Sequence, residues 1–350
     1  MKIFVTGGSG FIGSAFIRYI IDKTSHKVLN YDLLTYSSNQ DNLKDIKRSK
    51  KYKFLKGDIC NKNRLKKTIF HFKPDYIINF AAESHVDRSI ENPLKFINTN
   101  IVGVTILLET IYAYWKSVKF KKKNFRFLQV STDEVYGDLG FNKKSANERN
   151  LLIPSSPYAA SKASADLLVK AWYKTFKLPV LITASSNNYG PFQFPEKLIP
   201  HTILSAIYRK TIPIYGKGNQ IRDWLHVNDN VRAIYIILLK GKTGEKYNIG
   251  GQNELTNLYL INKICKVLDG LSGNSLKNSY KKLIKFVEDR PGHDTRYSLN
   301  INKLKKIGWK SKINFDLGLQ DTIKWYFENE KWYKKILSKN YKLKRIGKIR

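Results

Sequence analysis

Short apolar runs alternate with helical patterns through the first half of the chain. The runs typical of strands are residues 2–6, 27–32, 53–55, 76–80, 126–131 and 180–184. Helical patterns, opened by a capping residue or a proline in the first turn, cover residues 11–22, 62–72, 93–115 and 157–176. Strands that alternate with helices pair in parallel and are covered on both faces. The pattern therefore predicts an α/β fold with a doubly wound parallel sheet.

The pattern changes after Asn187, where proline and aromatic residues become frequent. Apolar runs return at residues 231–239 and 247–249. A chain that leaves the sheet, builds a cap and comes back would give this order of segments. We expect a cap at the carboxyl edge of the sheet, where doubly wound folds bind ligands. The predicted division is a first domain of residues 1–186 with 226–250 returning to it, and a smaller α/β C-terminal domain of residues 187–225 and 251–350.

Length and cysteine content fit an intracellular protein better than a secreted or metal-binding one. At 350 residues, the chain is long enough for a large sheet domain with a smaller companion. Its two cysteines, Cys60 and Cys265, lie far apart and lack metal-ligand spacing. The first strand pattern leaves no room for a leader segment, and no apolar run approaches a membrane span. We expect a reduced, cytoplasmic protein that holds no metal.

The net charge is strongly positive, with 63 Lys+Arg against 28 Asp+Glu and a formal value of +35. Such a charge attracts nucleic acid, acidic membranes or phosphorylated substrates. Most lysines are scattered along helix faces and loops, and dense runs occur only at residues 119–123 and 331–350. Neither run carries a recognisable nucleic-acid module, which favours solvated surface and no specific nucleic-acid or membrane partner.

A glycine-rich loop follows the first strand and opens the first helix, in the stretch TGGSGFIG at residues 6–13. Gly7 permits a tight turn, Gly10 lets the backbone approach a pyrophosphate, and Gly13 allows the helix to pack closely on the strand. The helix N-terminus, beginning at Phe11 and Ile12, points free N–H groups at the anion. This is the loop of a Rossmann-type dinucleotide site.

Asp32 closes the second strand, nineteen positions beyond Gly13, where a carboxylate can bind an adenosine ribose diol. A carboxylate there repels a 2′-phosphate, so the cofactor is predicted to be NAD rather than NADP. After the third strand, Asp58 and Ile59 either border the adenine or form an ordinary turn.

Tyr158 and Lys162 lie four positions apart on a predicted helix and therefore share one face. A lysine one turn from a tyrosine can lower the pKa of the phenol and can reach a ribose hydroxyl. Thr132, at the end of a predicted strand, can hydrogen-bond the same sugar oxygen that Tyr158 deprotonates. With the glycine loop, these three residues predict a site for oxidation and reduction of an alcohol.

With these positions and several further stretches, the chain resembles the extended short-chain dehydrogenase/reductases, a class that includes NAD-dependent sugar-nucleotide epimerases and dehydratases. Within that class it resembles the dTDP-glucose 4,6-dehydratase family. The resemblance covers almost the whole chain. It rests on TGGSGFIG (6–13), AAESHVDRS (81–89), STDEVYG (131–137), YAASK (158–162), SNNYGP (186–191), FPEKL (194–198), RDW (222–224) and DRPGHD (289–294). The epimerases share the first and fourth stretches and lack the Thr-Asp-Glu run.

The resemblance implies a lyase in which Asp133 and Glu134 eliminate water from the sugar. Tyr158 takes the proton of the glucose C4 hydroxyl, Glu134 acts as base on C5, and Asp133 protonates the departing C6 hydroxyl. Asp133 must hold a proton near neutral pH, which burial and the charge of Glu134 could arrange by raising its pKa. Because successive strand residues face opposite sides, both carboxyl groups reach one sugar only if a turn or helix begins after Thr132.

The substrate diphosphate requires positive charge and hydrogen-bond donors. Arg222 is the best candidate by its bidentate geometry, with Asn187 as a further donor. The resemblance places further contacts at Glu196, Lys197 and Leu198 near the sugar, Asn257 at the diphosphate, Arg290 and His293 at the nucleoside, Tyr341 at the base, and Ala81 and Ala82 at the cofactor. Three of these residues have a plain alternative: Arg222 could pair with Asp223, Arg290 with Asp289 or Asp294, and His293 could simply pack in a turn.

Two other functions stay open at this point. The same fold could act on a UDP-sugar, as a 4,6-dehydratase or a UDP-glucose 4-epimerase-like enzyme. The chain could also be a non-catalytic NAD-binding protein with a basic nucleic-acid-binding surface. The family further implies a homodimer through apolar stripes on helices 93–115 and 157–176, and core burial would explain the same stripes.

Overall fold

The structure is a computed structural model, and it describes residues 1–119, 122, 124–273, 276–339, 341 and 343. The basic runs at 119–123 and 331–350 therefore lie partly outside the described residues. The strands are β1 (Lys2–Thr6), β2 (Lys27–Asp32), β3 (Tyr52–Lys56), β4 (Tyr76–Asn79), β5 (Arg126–Thr132), β6 (Val180–Ser185), β7 (Asn187–Tyr189), β8 (Ile212–Tyr215), β9 (Ile221–His226), β10 (Lys246–Ile249), β11 (Glu254–Thr256) and β12 (Ile284–Val287).

The helices are α1 (Phe11–Lys23), α2 (Lys62–Phe72), α3 (Val86–Glu91), α4 (Pro93–Ile97), α5 (Gly103–Val118), α6 (Pro157–Phe176), α7 (Leu198–Ile207), α8 (Val227–Lys240), α9 (Asn257–Ser272), α10 (Asn302–Lys306), α11 (Phe315–Glu328) and α12 (Glu330–Lys339). Short 3-10 helices cover Gln40–Ile46, Asp133–Tyr136, Leu276–Asn278 and Tyr280–Leu283, and a π-helical turn covers Asn98–Val102. The predicted helices over residues 62–72 and 157–176 have the predicted bounds.

A seven-stranded sheet forms the centre of the described part of the chain, in the order β10-β6-β5-β4-β1-β2-β3. Every pairing in it is parallel. The sequence changes direction along the sheet between β1 and β4, as in doubly wound folds. The predicted fold class is therefore confirmed.

Two apolar clusters bury the two faces of this sheet. One contains buried residues of α1, α8 and the strands, such as Phe16 and Ile234. The other contains residues of α2, α5 and α6, such as Leu65, Leu107 and Val169. Both faces of a parallel sheet are covered in this way because neither can face water.

A third apolar cluster lies outside the large sheet. It combines α7, α9 and α11 with residues of β8 and β9, and its members include Ile203, Ile264 and Ile323. The small sheets β11-β9-β7 and β12-β8 pack with it. Residues 226–250 supply α8 and also β10, which pairs with β6 in the large sheet. The domain boundaries at 186, 225 and 250 stay a prediction.

Helix Pro93–Val118 is long and apolar enough to cross a membrane by length and composition alone. The expectation that no apolar run approaches a membrane span is therefore wrong for this segment. Its buried side chains, among them Val104, Leu108 and Ile111, pack in the cluster beside the sheet. The core helix of a globular protein meets the same criterion, so the finding is weak evidence for a membrane contact.

The π-helical turn Asn98–Val102 joins α4 to α5 and places Asn100 inside the protein. The Asn100 amide accepts a hydrogen bond from the backbone N–H of Glu83 and donates one to the carbonyl of Glu83, both at 2.9 Å. It also donates to the Ser161 hydroxyl at 2.9 Å. Through this side chain, the wide turn fixes the loop after β4 against α6.

Candidate active site

An open cleft with an empty volume of about 1700 Å³ lies at the carboxyl edge of the large sheet. The residues singled out in the sequence that line it are Gly7, Gly10, Phe11, Ile12, Gly13, Asp32, Asp58, Ile59, Ala81, Ala82, Thr132, Asp133, Glu134, Tyr158, Lys162, Asn187, Glu196 and Lys197. The structure thus brings the glycine loop, the tyrosine–lysine pair and both carboxylates to one continuous cavity. Leu198, Arg222, Asn257, Arg290, His293 and Tyr341 lie outside its lining.

The glycine loop has the geometry that its three glycines require. Gly7 has a φ of +68°, and an added Cβ would lie 2.5 Å from the backbone nitrogen of Ala81. A Cβ on Gly13 would lie 2.4 Å from the carbonyl oxygen of Gly7. On Gly10, the nearest atom to an added Cβ is the Gly7 oxygen at 3.4 Å. Gly7 and Gly13 are therefore needed for packing, whereas Gly10 presents open backbone to the cleft.

Asp32 anchors the loop that follows β2. Its Oδ2 accepts the N–H of Ser9 at 2.8 Å, and its Oδ1 accepts the N–H of Leu34 at 2.7 Å. Burial raises the pKa of Asp32, and these two N–H groups act in the opposite direction. The carboxylate therefore sits beside the glycine loop and lines the cleft, where a ribose diol can meet it.

Both alternatives for Asp58 and Ile59 have a counterpart in the structure. The Asp58 carboxylate accepts the N–H of Cys60 at 2.8 Å and so forms a turn. Tyr31 donates its hydroxyl to the Asp58 carbonyl at 3.0 Å. Asp58 and Ile59 nevertheless line the cleft. The turn at Asp58 and Ile59 therefore forms part of the border of the cleft.

Thr132 ends β5, and a 3-10 helix begins at Asp133, as the turn prediction requires. The Thr132 hydroxyl accepts the N–H of Glu134 at 3.3 Å and donates to Oδ1 of Asp133 at 3.1 Å. Strand geometry would have sent the two carboxyl groups to opposite faces. The early turn instead lets both of them line one cavity.

Burial raises the pKa of Asp133 well above that of an ordinary aspartate, and the charge of Glu134 adds to this effect. The Oδ2 atom of Asp133 has no hydrogen-bond partner among the described residues. Burial also raises the pKa of Glu134, while Arg290, Lys197 and Arg222 oppose the rise. Asp133 is thus the carboxyl that favours a proton, and Glu134 is the one that cations help to ionise.

Tyr158 and Lys162 lie one turn apart near the start of α6, which Ser156 caps by accepting the N–H of Ala159 at 3.1 Å. Both side chains are buried and line the cleft. The ammonium of Lys162 donates to the carbonyl of Val130 at 2.7 Å. The helix thus presents the predicted pair on one face.

The predicted lowering of the phenol pKa by Lys162 is wrong for this arrangement. Burial raises the pKa of Tyr158 well above its usual value, and Glu134 and Asp133 raise it further. A hydrogen bond with Thr132 acts in the opposite direction. Burial also lowers the pKa of Lys162 to about 8, against an opposing effect of Asp166. Helical spacing shows that the two side chains are neighbours, but it does not show how deeply the fold buries them.

Glu196 is held by two residues from distant segments of the chain. Arg88 forms an ion pair with its Oε2 at 2.9 Å, and Tyr36 donates a hydroxyl hydrogen to its Oε1 at 3.0 Å. The Arg88 guanidinium also lies over the Tyr36 ring, 4.0 Å from its centroid. Lys197, the next residue, donates to the carbonyl of Ser84 at 2.7 Å. The segment before α7 is therefore fixed to the loops after β2 and β4.

Arg222 does not pair with Asp223. Its guanidinium donates to the carbonyls of Ile221 and Asp294, at 2.8 Å and 2.9 Å, and stacks over the ring of Tyr297. Asp223 instead accepts backbone N–H groups of residues 251 and 253. A buried guanidinium held by carbonyls and a ring keeps its charge without a carboxylate partner in the described part of the chain.

Arg290 pairs with an acid that the sequence did not indicate. Its guanidinium lies 3.4 Å from Oδ1 of Asp87, whereas its backbone N–H donates to Asp289 at 2.8 Å. The alternative side-chain pairs with Asp289 or Asp294 are not present in the described residues. The Nδ1 atom of His293 lies 2.6 Å from Oδ1 of Asp289. Burial and the cations Arg290 and Arg222 lower the pKa of His293 to about 4.

The remaining predicted contacts occupy the side of the smaller cluster. Asn187 begins β7, and Leu198 begins α7 and packs on the third apolar cluster. Asn257 begins α9, and its side-chain oxygen is buried without a hydrogen-bond partner in the described region. Tyr341 is buried, with its ring centroid 6.3 Å from that of Phe194.

Sequence reasoning missed three residues that organise this end of the cleft, namely Tyr36, Asp87 and Arg88. Asp87 accepts a hydrogen bond from Tyr215 and faces Arg290. Two of the three lie within the stretch AAESHVDRS, so that motif was a signal that could have found them. No cluster of three or more His, Cys, Asp or Glu residues that could hold a metal ion occurs in the described ranges.

The sequence model of the GDP-mannose 4,6 dehydratase family matches residues 4–322. A dTDP-glucose 4,6-dehydratase of Haemophilus influenzae is 51% identical, over 94% of this chain and 98% of that protein. One of Escherichia coli is 47% identical over 100% of both chains. A crystal structure of dTDP-glucose 4,6-dehydratase from Bacillus anthracis in complex with NAD has a TM-score of 0.83, with 44% identity, and covers 96% of this chain and 99% of that chain.

The fold and the cleft define a Rossmann-type nucleotide-sugar enzyme of the extended short-chain dehydrogenase/reductase class. The chain belongs to the GDP-mannose 4,6 dehydratase family. The resemblance stated from the sequence motifs is thereby confirmed.

Proposed function

We propose that this protein converts dTDP-glucose to dTDP-4-keto-6-deoxyglucose, as a hydro-lyase that uses NAD. One observation carries the proposal: the buried Asp133 carboxyl, with its raised pKa, lies beside Glu134 in the same cleft as Tyr158. An epimerase has no use for an acid and a base at this position. Relatives at about half identity over almost the whole chain carry the same activity in their names.

The residues at the glycine loop fit NAD. Gly10 leaves open backbone for a diphosphate, and Asp32 offers a carboxylate to an adenosine ribose. Phe11, Ile12 and Gly13 bring the helix N-terminus to the diphosphate, while Asp58, Ile59, Ala81 and Ala82 border the cofactor further along the cleft. When bound, NAD supplies the hydride acceptor at the sugar C4 and the hydride donor at C6.

Tyr158 and Thr132 act on the C4 hydroxyl of the glucose and remove its proton. Thr132 orients the C4 hydroxyl of the glucose by a hydrogen bond, and Tyr158 accepts the hydroxyl proton as the phenolate, the form that a neighbouring cation favours. Lys162, one turn along α6, lies beside the pair as a cation. Oxidation at C4 gives a ketone, which makes the neighbouring C5–H acidic.

Glu134 and Asp133 then eliminate water. Glu134 removes the C5 proton, the C5–C6 double bond forms, and the C6–O bond breaks as Asp133 gives its proton to the departing hydroxyl. The raised pKa of Asp133 supplies the acid, and the cations near Glu134 favour the ionised base. The proton returns to C5 from Glu134 when C6 is reduced.

Positive charge lies where the substrate diphosphate must pass. Lys197 and Arg222 both favour the ionised form of Glu134, so two cations act on this part of the cleft. We assign Arg222 and Asn187 to the diphosphate, with Asn257 as a further donor. Glu196, Lys197 and Leu198 bound the sugar, Arg290 and His293 lie at the nucleoside, and Tyr341 closes the base end.

We further propose a cytoplasmic homodimer with no membrane or specific nucleic-acid partner. The candidate interface is the outer face of Pro93–Val118 and α6, where Leu94, Ile97, Val102 and Leu167 are exposed. Paired helices would bury these side chains between two subunits. A sedimentation measurement tests it: twice the mass of 40.6 kDa supports the dimer, and a single chain overturns it.

The decisive experiment is incubation of the purified chain with dTDP-glucose in deuterated water. A 4-keto-6-deoxy sugar with deuterium at C5 and no net NADH is expected, because C5 is deprotonated and the cofactor is regenerated. Recovery of dTDP-galactose would instead indicate an epimerase. Parallel assays with UDP-glucose and UDP-N-acetylglucosamine test which nucleotide base the enzyme prefers. Faster turnover of either would overturn the proposal that the substrate is a thymidine nucleotide.

A further inference from the structure

Three ionisable side chains follow one another along the buried face of α6. Tyr158, Lys162 and Asp166 are spaced four residues apart, so each lies one helical turn beyond the last. Tyr158 and Lys162 line the cleft, whereas Asp166 lies below it with its side chain fully buried. The proposed mechanism uses the first two residues and leaves the third without a role.

Asp166 forms an ion pair with Lys246 on β10. Lys246 Nζ and Asp166 Oδ2 are 3.0 Å apart, and the side chains are 2% and 0% exposed. A fully buried ion pair is seldom a gain in stability, because desolvating two charges costs about as much as their attraction returns. Its place beside the catalytic helix therefore suggests a role other than stability.

The pair joins α6 to the turn that carries the two catalytic carboxylates. The Lys246 ammonium lies over the ring of Tyr136, 4.5 Å from its centroid. Tyr136 ends the 3-10 helix that begins at Asp133, and its hydroxyl donates to Asn248 at 2.8 Å. The pair thus lies one helical turn beyond Lys162 on α6 and contacts the residue that ends the turn carrying Asp133 and Glu134.

Resting on the proposed function, we propose that the buried Asp166–Lys246 ion pair positions the Lys162 ammonium beside Tyr158. Asp166 and Lys246 are then positioning residues for the reaction, although neither lines the cleft. The direct contact of the Lys162 ammonium is a neutral carbonyl, that of Val130. Burial lowers the pKa of Lys162, and the negative charge of Asp166 opposes this lowering.

The charge of Asp166 also acts on other ionisable groups near it. On α6 itself, Lys170 lies one turn beyond and is affected by both members of the pair. From β10 comes Lys246, and from the segment before it Glu245, which acts on Lys170. Tyr136 from the 3-10 helix and Tyr158 both respond to the Asp166 charge. Asp166 is thus shared between the catalytic lysine and two others.

This sharing gives the two members opposite effects on Lys162. Asp166→Asn removes the negative charge that stabilises the Lys162 ammonium, so the pKa of Lys162 should fall. Lys246→Gln removes the competing cation, so the Asp166 charge acts more strongly and the pKa of Lys162 should rise. A shift of about one pH unit is the scale for one nearby charge in a buried site.

The test is amine labelling of the full-length holoenzyme across a pH series, with Lys162 modification read by mass spectrometry. The midpoint in the parent is expected near pH 8. It should move down in Asp166→Asn and up in Lys246→Gln, and the alkaline limb of kcat should follow. The matched control is Asp316→Asn, which removes a partly exposed ion pair with Lys263 on other helices and should leave the midpoint in place.

Midpoints that stay fixed in both variants, or that move in the same direction, would overturn the positioning role. If Asp166→Asn does not fold, the double variant Asp166→Asn/Lys246→Gln leaves no lone charge of the pair and should still lower the midpoint. A parent chain that labels normally but makes no 4-keto-6-deoxy sugar would instead overturn the proposed function. The two failures are therefore distinguishable.

Discussion

The hydroxyl of Thr132 donates to Oδ1 of Asp133 at 3.1 Å, while Oδ2 of the same carboxyl is buried without a partner in the described part of the chain. One oxygen is thus oriented by the protein, and the other has no described group that holds it. This arrangement suits a general acid, because the unpartnered oxygen can carry the proton that the raised pKa retains.

Replacing Asp133 by Asn should remove the acid without changing the side-chain shape. We expect kcat for the 4-keto-6-deoxy product to fall by about 10²–10⁴-fold, the usual range for loss of a general acid. Product absorbance in alkali measures it. The control Asp22→Asn, at an exposed ion pair with Lys23, should stay within about twofold of the parent. An Asp133→Asn enzyme that keeps more than a tenth of the parent rate would contradict the assignment.

The pKa of Asp133 also predicts a pH-dependent stability. Its folded pKa is raised above the unfolded value of about 3.9. Its contribution to stability is therefore complete below pH 3.9 or so and is lost as pH rises through the folded pKa. Asn cannot ionise, so Asp133→Asn should gain thermal stability over the parent toward alkaline pH, by about 2 °C or more. Melting curves from pH 5 to 9 measure the difference; a constant gap would argue against it.

Two glycines of the dinucleotide loop should separate cofactor binding from folding. Gly10→Ala places a methyl in open cleft space, so we expect an unchanged melting temperature and an NAD affinity at least about tenfold lower. Gly7→Ala meets the Ala81 backbone at 2.5 Å in a left-handed conformation and should destabilise the fold itself. Calorimetric NAD titration with melting curves distinguishes them. Normal NAD binding by Gly10→Ala would refute this placement.

Arg88→Met should leave Glu196 buried with Tyr36 as its remaining side-chain partner. The Glu196 side chain is 2% exposed and that of Arg88 is 28% exposed. Removing one member of a buried pair costs roughly 3–5 kcal/mol, and the partial exposure of Arg88 reduces our expectation to about 2 kcal/mol. Denaturant unfolding measures this loss. The double variant Arg88→Met/Glu196→Gln should recover part of it, and no recovery would mean that the two residues are not coupled.

The sequence predicted most of the large sheet, because each strand and helix of a parallel sheet leaves a local pattern. Residues 2–6, 27–32, 62–72 and 157–176 have the predicted bounds. The turn after Thr132 was also predictable, since only a break in the strand lets Asp133 and Glu134 face one cavity. Local geometry and chemistry there require the same backbone.

Contacts between distant segments left no such pattern. Arg88 and Glu196 are separated by 108 positions, and nothing near either residue specifies the other. The pairing of Arg290 with Asp87 spans 203 positions. The error over the pKa of Tyr158 has the same origin: helical spacing shows that Lys162 is near, but burial is a property of the whole fold.

The π-helical turn at Asn98–Val102 takes up one residue more than an α turn without changing the phase of the helix that follows. Deleting one residue there would restore regular winding and leave Leu108 and Ile111 facing the sheet. What the deletion would remove is the widened backbone that brings Asn100 to the N–H and carbonyl of Glu83. The extra residue therefore serves the loop beside the cleft, and the packing of α5 on the sheet does not depend on it.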